Sequence, residues 1–114
     1  MVLEQQLVFP GGAIVDRLKS IFELRDMLHK MERDIGLDRL NRAERDVLLA
    51  AHALTSVPGA PVQSEQIRSH RLVTEIAQAT FHRTLKSLLA LGLLERAGGS
   101  KAKHYVVCFD PAAR

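Results

Sequence analysis

The sequence predicts a mainly helical fold with a small β-hairpin wing, of the α+β class. Three features that follow one another between Ser64 and Val107 predict it: a short helix, a longer basic helix, and two strand-like segments around the pair Gly98-Gly99. This order is typical of a winged helix-turn-helix, to which the preceding segment adds an N-terminal helix.

The sequence divides into four segments. Residues 1–12 are expected to form an irregular N-terminal arm, because the arm ends in a cluster of proline and glycine. Residues 13–36 are predicted to form an N-terminal helix, residues 40–109 the winged helix-turn-helix, and residues 110–114 a tail.

The N-terminal helix carries one stripe of apolar residues at alternating spacings of three and four, interrupted by Arg17 at one seam position. The series is Ile14, Ile21, Leu24, Leu28, Met31 and Ile35, and Leu18 and Phe22 widen it. The stripe residues that we expect to mediate dimerisation are Ile14, Leu18, Ile21, Leu24, Leu28 and Met31. Such a stripe either forms a seam with a second copy of the chain or covers the core of its own domain. The apolar surface exceeds what a minimal winged helix requires, which favours a homodimer.

The next two helices have recognisable starts. Asn41 is predicted to cap the first of them, in a capping box with Glu44 three residues later. Ser64 is predicted to cap the following helix, which carries Ile67 and Leu72.

The fourth helix, expected from about Ala77 to Leu91, is apolar on one side and polar on the other. Its apolar residues at helical spacing, which should face the core, are Phe81, Leu85, Leu88 and Leu89. Its polar side offers hydrogen-bond donors near the N-terminus, as insertion into a DNA major groove requires. The residues predicted to contact DNA are Gln78, Thr80, His82, Arg83 and Lys86 on this helix, with Lys101 and Lys103 in the hairpin.

The roles of these residues follow from their chemistry. Arg83 is suited to guanine O6 and N7 or to a phosphate, and Gln78 to adenine. The lysines of the hairpin are suited to phosphates or to the minor groove.

Three further features complete the predicted fold: a helix end, a hairpin and a short edge strand. Gly92 is expected to end the fourth helix in a left-handed conformation. Residues 93–96 and 104–109 are predicted to pair as the hairpin, and Pro61-Val62-Gln63 is suited to a short edge strand.

The positive charge is concentrated in the same region. The chain has a net charge of +3, whereas residues 64–104 contain seven basic and three acidic residues, a net +4. This excess favours a polyanionic partner, although a solvated basic face gives the same count.

The segment from Ile76 to Arg96 resembles the recognition helix and first wing strand of MarR-type winged helix regulators, and the resemblance extends over about residues 40–107. The matching residues are Thr80, Arg83, Leu85, Leu88, Gly92, Leu93, Glu95 and Arg96. The resemblance implies a regulator of transcription, and it leaves room for a small-molecule effector without identifying one. The chain departs from the family pattern at Arg68, where alanine is usual, and at Ala77, where a capping serine is usual, so Thr74 is a candidate cap.

Little in the sequence supports an enzyme, a metal-binding protein, or a secreted or membrane protein. The sequence has no phosphate-binding loop, nucleophile elbow or metal-binding histidine spacing, so we expect no enzyme, no cofactor and no metal. A metal-sensing site that combines Cys108 with a histidine is a weaker alternative. Without a secretory signal or a membrane-spanning run, the sequence predicts a cytoplasmic protein with no membrane partner.

The function expected from the sequence is sequence-specific binding of double-stranded DNA by a homodimeric regulator of transcription. The alternative is a winged helix that binds another protein and no DNA, because the same fold serves both purposes.

Overall fold

The computed structural model of the protein describes residues 11–98 and 103–108, with side chains from Val15 onward. The described residues are mainly helical and include one small antiparallel sheet, as the predicted α+β class requires. The elements are α1 (Gly11–Asp34), a 3-10 turn (Leu37–Arg39), α2 (Arg42–Leu54), β1 (Val62–Gln63), α3 (Ser64–Ser69), α4 (Gln78–Ala90), β2 (Leu94–Ala97) and β3 (His104–Val107).

The chain forms two compact units, Met1–Asp38 and Arg39–Arg114, which we call the N-terminal and the C-terminal unit. In the N-terminal unit, α1 begins at Gly11, so the last two residues of the expected arm belong to the helix. The rest of that arm and the tail over residues 110–114 lie outside the described residues. Gly36 follows α1 at φ 84° and donates its N–H to the carbonyl of Arg33 at 3.2 Å, which satisfies a carbonyl of the last turn.

The core of the C-terminal unit lies between α2, α3, α4 and one face of the sheet. Its largest fully buried side chains are Val47, Ile67, Val73, Phe81, Leu88 and Leu94. These residues are almost all aliphatic, so the stability of the unit rests on apolar burial across α2 and α4.

The sheet has three strands in the order β1-β3-β2, and both pairs are antiparallel. Arg96 and Val62 both lie opposite Tyr105, on either side of the central strand. The predicted edge strand is confirmed as β1. Beyond it, the N–H of Ser64 donates to the carbonyl of Lys103 at 2.8 Å, which joins the start of α3 to the hairpin.

The capping box of α2 is confirmed. Asn41 Oδ1 accepts from the N–H of Glu44 at 2.8 Å, and Glu44 Oε1 accepts from the N–H of Asn41 at 2.9 Å. The second carboxylate oxygen of Glu44 accepts from the hydroxyl of Ser87, so one side chain both caps α2 and joins it to α4. Gly92, at φ 77°, ends α4 in the predicted left-handed conformation.

The prediction for α3 is wrong in two respects. The residue before the helix is Gln63, whose N–H donates to Gln66 Oε1 at 3.0 Å, and Ser64 is the first helical residue and is buried. The helix ends at Ser69 because His70 adopts an extended backbone (φ −68°, ψ 141°). Leu72 therefore lies outside the helix and is 43% exposed, whereas Val73 is buried in the core.

The suggested cap at Thr74 is also wrong. The residue that precedes α4 is Ala77, which has no capping side chain, and Thr74 lies three residues further back in the turn. The segment between α3 and α4 is held instead by Arg68. Its Nη1 donates to the carbonyls of Val73 at 3.1 Å and Thr74 at 3.3 Å, and its guanidinium lies 5.6 Å from the ring centroid of Phe81.

We expect Arg68→Ala to lower the free energy of unfolding by about 2 kcal/mol, because charge-assisted bonds to two carbonyls and a cation–π contact are lost together. Urea unfolding followed by circular dichroism measures this change. Arg71→Ala, which removes an exposed arginine from the same turn, should change stability by less than about 0.5 kcal/mol. Equal effects of the two substitutions would contradict the structural role of Arg68.

Candidate nucleic-acid interface

Helix α4 has one buried and one exposed side. Phe81, Thr84, Leu85 and Leu88 are buried, while Leu89, expected in the core, is half-buried. The opposite side exposes the predicted residues Gln78, His82, Arg83 and Lys86, with Thr80 half-buried beside them. The helix therefore presents a polar and basic ridge that contains no acidic residue.

Arg83 is ordered by its own helix. Its Nη2 donates to Thr80 Oγ1 at 3.1 Å, one turn nearer the N-terminus. This contact draws the guanidinium toward the first turn of α4. An exposed bond of this kind contributes little to stability, so the side chain is free to exchange it for another acceptor.

A groove of about 540 Å³ lies on one side of the ridge, between α3, the first half of α4 and the hairpin. Its lining residues are Ser64, Glu65, Arg68, Gln78, Phe81, His82, Leu85, Arg96, Lys103 and Tyr105. Three of these side chains are cationic and one is acidic. The groove therefore attracts anions, and we call it the basic groove.

Arg96 is a cationic residue of the groove that was not among those predicted to contact DNA. It lies opposite Tyr105 in the β2–β3 register, with its guanidinium 5.7 Å from the ring centroid and its Nη1 3.5 Å from the hydroxyl. Tyr105 is buried, so the ring is a fixed support for the exposed guanidinium. Its position depends on the hairpin register, which the glycine-rich tip leaves undetermined in the sequence.

A second groove, of about 380 Å³, lies on the other side of the ridge, between α4 and the start of α2. Thr80, Arg83 and Ser87 line it from α4, and residues 41–44 line it from α2. The ridge of α4 thus stands between two depressions, which gives this face a convex profile.

Of the two hairpin lysines predicted to contact DNA, the structure describes one. Lys103 is exposed and lines the basic groove beside Arg96. Lys101 lies outside the described residues.

The residues predicted to mediate dimerisation lie together on α1. Of these, Leu18, Ile21, Leu24, Leu28 and Met31 are exposed, and the side chain of Ile14 lies outside the described residues.

Two other kinds of site are absent from residues 11–98 and 103–108. No group of three or more His, Cys, Asp and Glu side chains is arranged to hold a metal ion. Among the described helices, none combines the length and the apolar character needed to cross a membrane.

Cys108 has a thiol that ionises less readily than usual. The residue as a whole is exposed, but partial burial of the thiol is the main cause that raises its pKa. The negative charge of Glu95 and a hydrogen bond with Glu95 raise this pKa further. A thiol with a raised pKa is a weak nucleophile and a weak metal ligand at neutral pH.

No protein-family model, no curated protein and no solved structure matches this chain.

We expect Cys108 to react slowly with iodoacetamide at neutral pH and faster as the pH rises, because the thiolate is the reactive form. The midpoint of the rate profile should lie above that of free cysteine. Glu95→Gln should move it toward lower pH, whereas Glu65→Gln, which removes an acidic side chain elsewhere, should leave it in place. Identical midpoints in the original protein and Glu95→Gln would contradict the assigned cause.

Proposed function

We propose that the protein is a sequence-specific double-stranded DNA-binding regulator of transcription, in which residues 40–109 act as a winged helix-turn-helix. In this proposal α4 is the recognition helix and the β2–β3 hairpin is the wing. The observation that carries it is the ridge of α4, where Gln78, His82, Arg83 and Lys86 are exposed together.

The dimensions and chemistry of the ridge support insertion into the major groove. The major groove of B-DNA is about 12 Å wide and admits an α-helix, whose side chains then reach the base edges. A helix that enters it needs hydrogen-bond donors on its outer side and no acidic side chain among them. The outer side of α4 meets both conditions, since it offers an amide, an imidazole, a guanidinium and an ammonium group.

The basic groove supports a path for the sugar–phosphate backbone beside the ridge. Arg96 and Lys103 are exposed at the hairpin side of this groove, and Gln78 and His82 border it from α4. With α4 in the major groove, cations that lie beside the helix are suited to contact the flanking phosphates. Arg96, supported by the Tyr105 ring, is suited to a phosphate without a large loss of side-chain entropy.

The alternative role as a protein-binding module lacks a matching surface on α4. A protein-binding face would display large apolar side chains. Among the large hydrophobic residues that are exposed in the described part of the chain, none lies within α4.

Selection of bound sequences from random duplex DNA tests the proposal directly. We expect enrichment of a short motif that matches the reach of one recognition helix. Recovery of unenriched sequences, at an affinity no greater than that for scrambled duplex, would contradict it.

We expect Arg83→Ala to weaken binding to the selected site by about 1–3 kcal/mol, or roughly 5- to 150-fold, and to change binding to scrambled DNA little. The reason is that a bidentate contact to guanine is lost only where guanine is present. Arg39→Ala, which removes an exposed arginine outside α4, is the matched control and should leave both affinities unchanged. Fluorescence anisotropy at fixed salt measures both. Equal losses on both DNAs would assign Arg83 to a phosphate.

We expect Lys101→Ala and Lys103→Ala each to reduce by about one the slope of log affinity against log salt concentration. The reason is that each lost lysine–phosphate contact lowers by about one the number of counterions that DNA releases on binding. The slope is obtained from affinities measured over a range of salt concentrations. Lys19→Ala, on the polar side of α1, is the control and should leave the slope unchanged. An unaltered slope in both hairpin variants would place the hairpin off the DNA.

A further inference from the structure

Helix α1 exposes more large apolar side chains than any other described element. They are Val15, Leu18, Ile21, Phe22, Leu24, Met27, Leu28 and Met31, and their exposed fractions range from 50% for Ile21 to 68% for Phe22. A contiguous apolar surface of this length on a polar helix marks an interaction site. We propose that α1 pairs with α1 of a second copy of this chain, in an antiparallel two-helix coiled coil.

The spacing of the exposed residues supports a coiled coil. Ile21, Leu24, Leu28 and Met31 follow one another at three, four and three residues, which are the a and d positions of a heptad. Leu18 and Met27 flank this seam at positions e and g and widen it. The 24 residues of α1 extend for about 36 Å, which is long enough for several successive layers.

The charge of the polar side favours a protein partner over a lipid surface. Its residues are Asp16, Lys19, Glu23, Asp26, Lys30 and Arg33, three acidic and three basic. An amphipathic helix that lies on a membrane usually has a polar side rich in lysine and arginine. A balanced polar side with a regular seam fits a second copy, because the same surface can pair with itself across a two-fold axis.

The apolar area is of the size that a stable pair needs. At these exposures, each of the six seam and flanking side chains presents on the order of 100 Å² of apolar surface. Together they contribute about 600 Å² from each copy. Specific interfaces bury about 800 Å² from each partner, so the stripe supplies most of one.

The position of Arg17 determines the orientation of the pair. It occupies a d position of the heptad, one turn before Ile21. A parallel pair would place the two copies of Arg17 in the same layer of the seam, whereas an antiparallel pair moves them to opposite ends of the coiled coil. In an antiparallel pair Arg17 lies near Ile35, the residue that follows α1, and Ile21 packs against Met31 and Leu24 against Leu28 of the second copy.

The distribution of charge along α1 favours the same orientation. Residues 16–25 contain three basic and two acidic residues, and residues 26–34 contain two basic and three acidic residues. Antiparallel pairing places the net positive half of one helix against the net negative half of the other. It also opposes the two helix dipoles.

Sedimentation equilibrium of the full-length protein tests the pairing. We expect a dimer at about 10 μM, and a monomer for the variant Leu24→Asp/Leu28→Asp. Both substitutions fall on exposed positions of α1, so the urea unfolding of the C-terminal unit should be retained and distinguishes loss of pairing from loss of fold. Val57→Asp, which changes an exposed apolar residue outside α1, should remain a dimer.

Three results would overturn the pairing: an original protein that is a monomer at 100 μM, a dimer that persists in the double variant, or a monomer that sediments with phosphatidylserine vesicles. None of them depends on DNA, so the pairing can fail while the DNA-binding proposal stands, and the reverse.

Cross-linking tests the orientation. In a Cys108→Ser background, Ile21→Cys and Met31→Cys are prepared separately and exposed to a short bismaleimide. We expect a cross-linked dimer when the two proteins are mixed and none when either is alone, because the antiparallel pair brings residue 21 next to residue 31. Cross-linking of either protein by itself, or no product in the mixture, would overturn the antiparallel arrangement.

Discussion

The burial of Phe81 and Leu88 determines what helix α4 presents to solvent. Both side chains are almost completely enclosed, and Thr84 and Leu85 are buried on the same side. An α-helix turns by 100° per residue, so fixing these positions leaves the polar residues no orientation except outward. The exposed ridge is therefore a consequence of core packing, and a change in the core that rotated α4 would displace every donor on the ridge at once.

Much of this arrangement can be predicted from the sequence, because it depends on local rules. The capping box at Asn41 and the left-handed Gly92 need only a few neighbouring residues. The apolar spacing in α4 identifies its buried side in the same way. These features are specified within one or two turns of the chain, so tertiary packing has little opportunity to override them.

The remaining features depend on distant contacts and could not be predicted. Arg68 stands out in the sequence as a departure from a family pattern, yet its contacts with two carbonyls and the Phe81 ring depend on the path of the turn after α3. Leu72 lies outside its predicted helix for the same reason, since the extended His70 ends α3 and Val73, not Leu72, is buried in the core. The place of Arg96 in the candidate site depends on the register of two strands joined by a glycine-rich segment. Here the sequence specifies the residue, and the fold specifies its neighbours.

The bond between the N–H of Ser64 and the carbonyl of Lys103 has a consequence for the motions of the C-terminal unit. Together with the pairing of β1 and β3, it ties the first turn of α3 to the tip end of the hairpin, where β3 begins. Segments linked in this way open as one cooperative element during native-state fluctuations. A displacement of the start of β3 therefore pulls on the backbone that begins α3, and amide hydrogens in the two segments should exchange with solvent at similar rates.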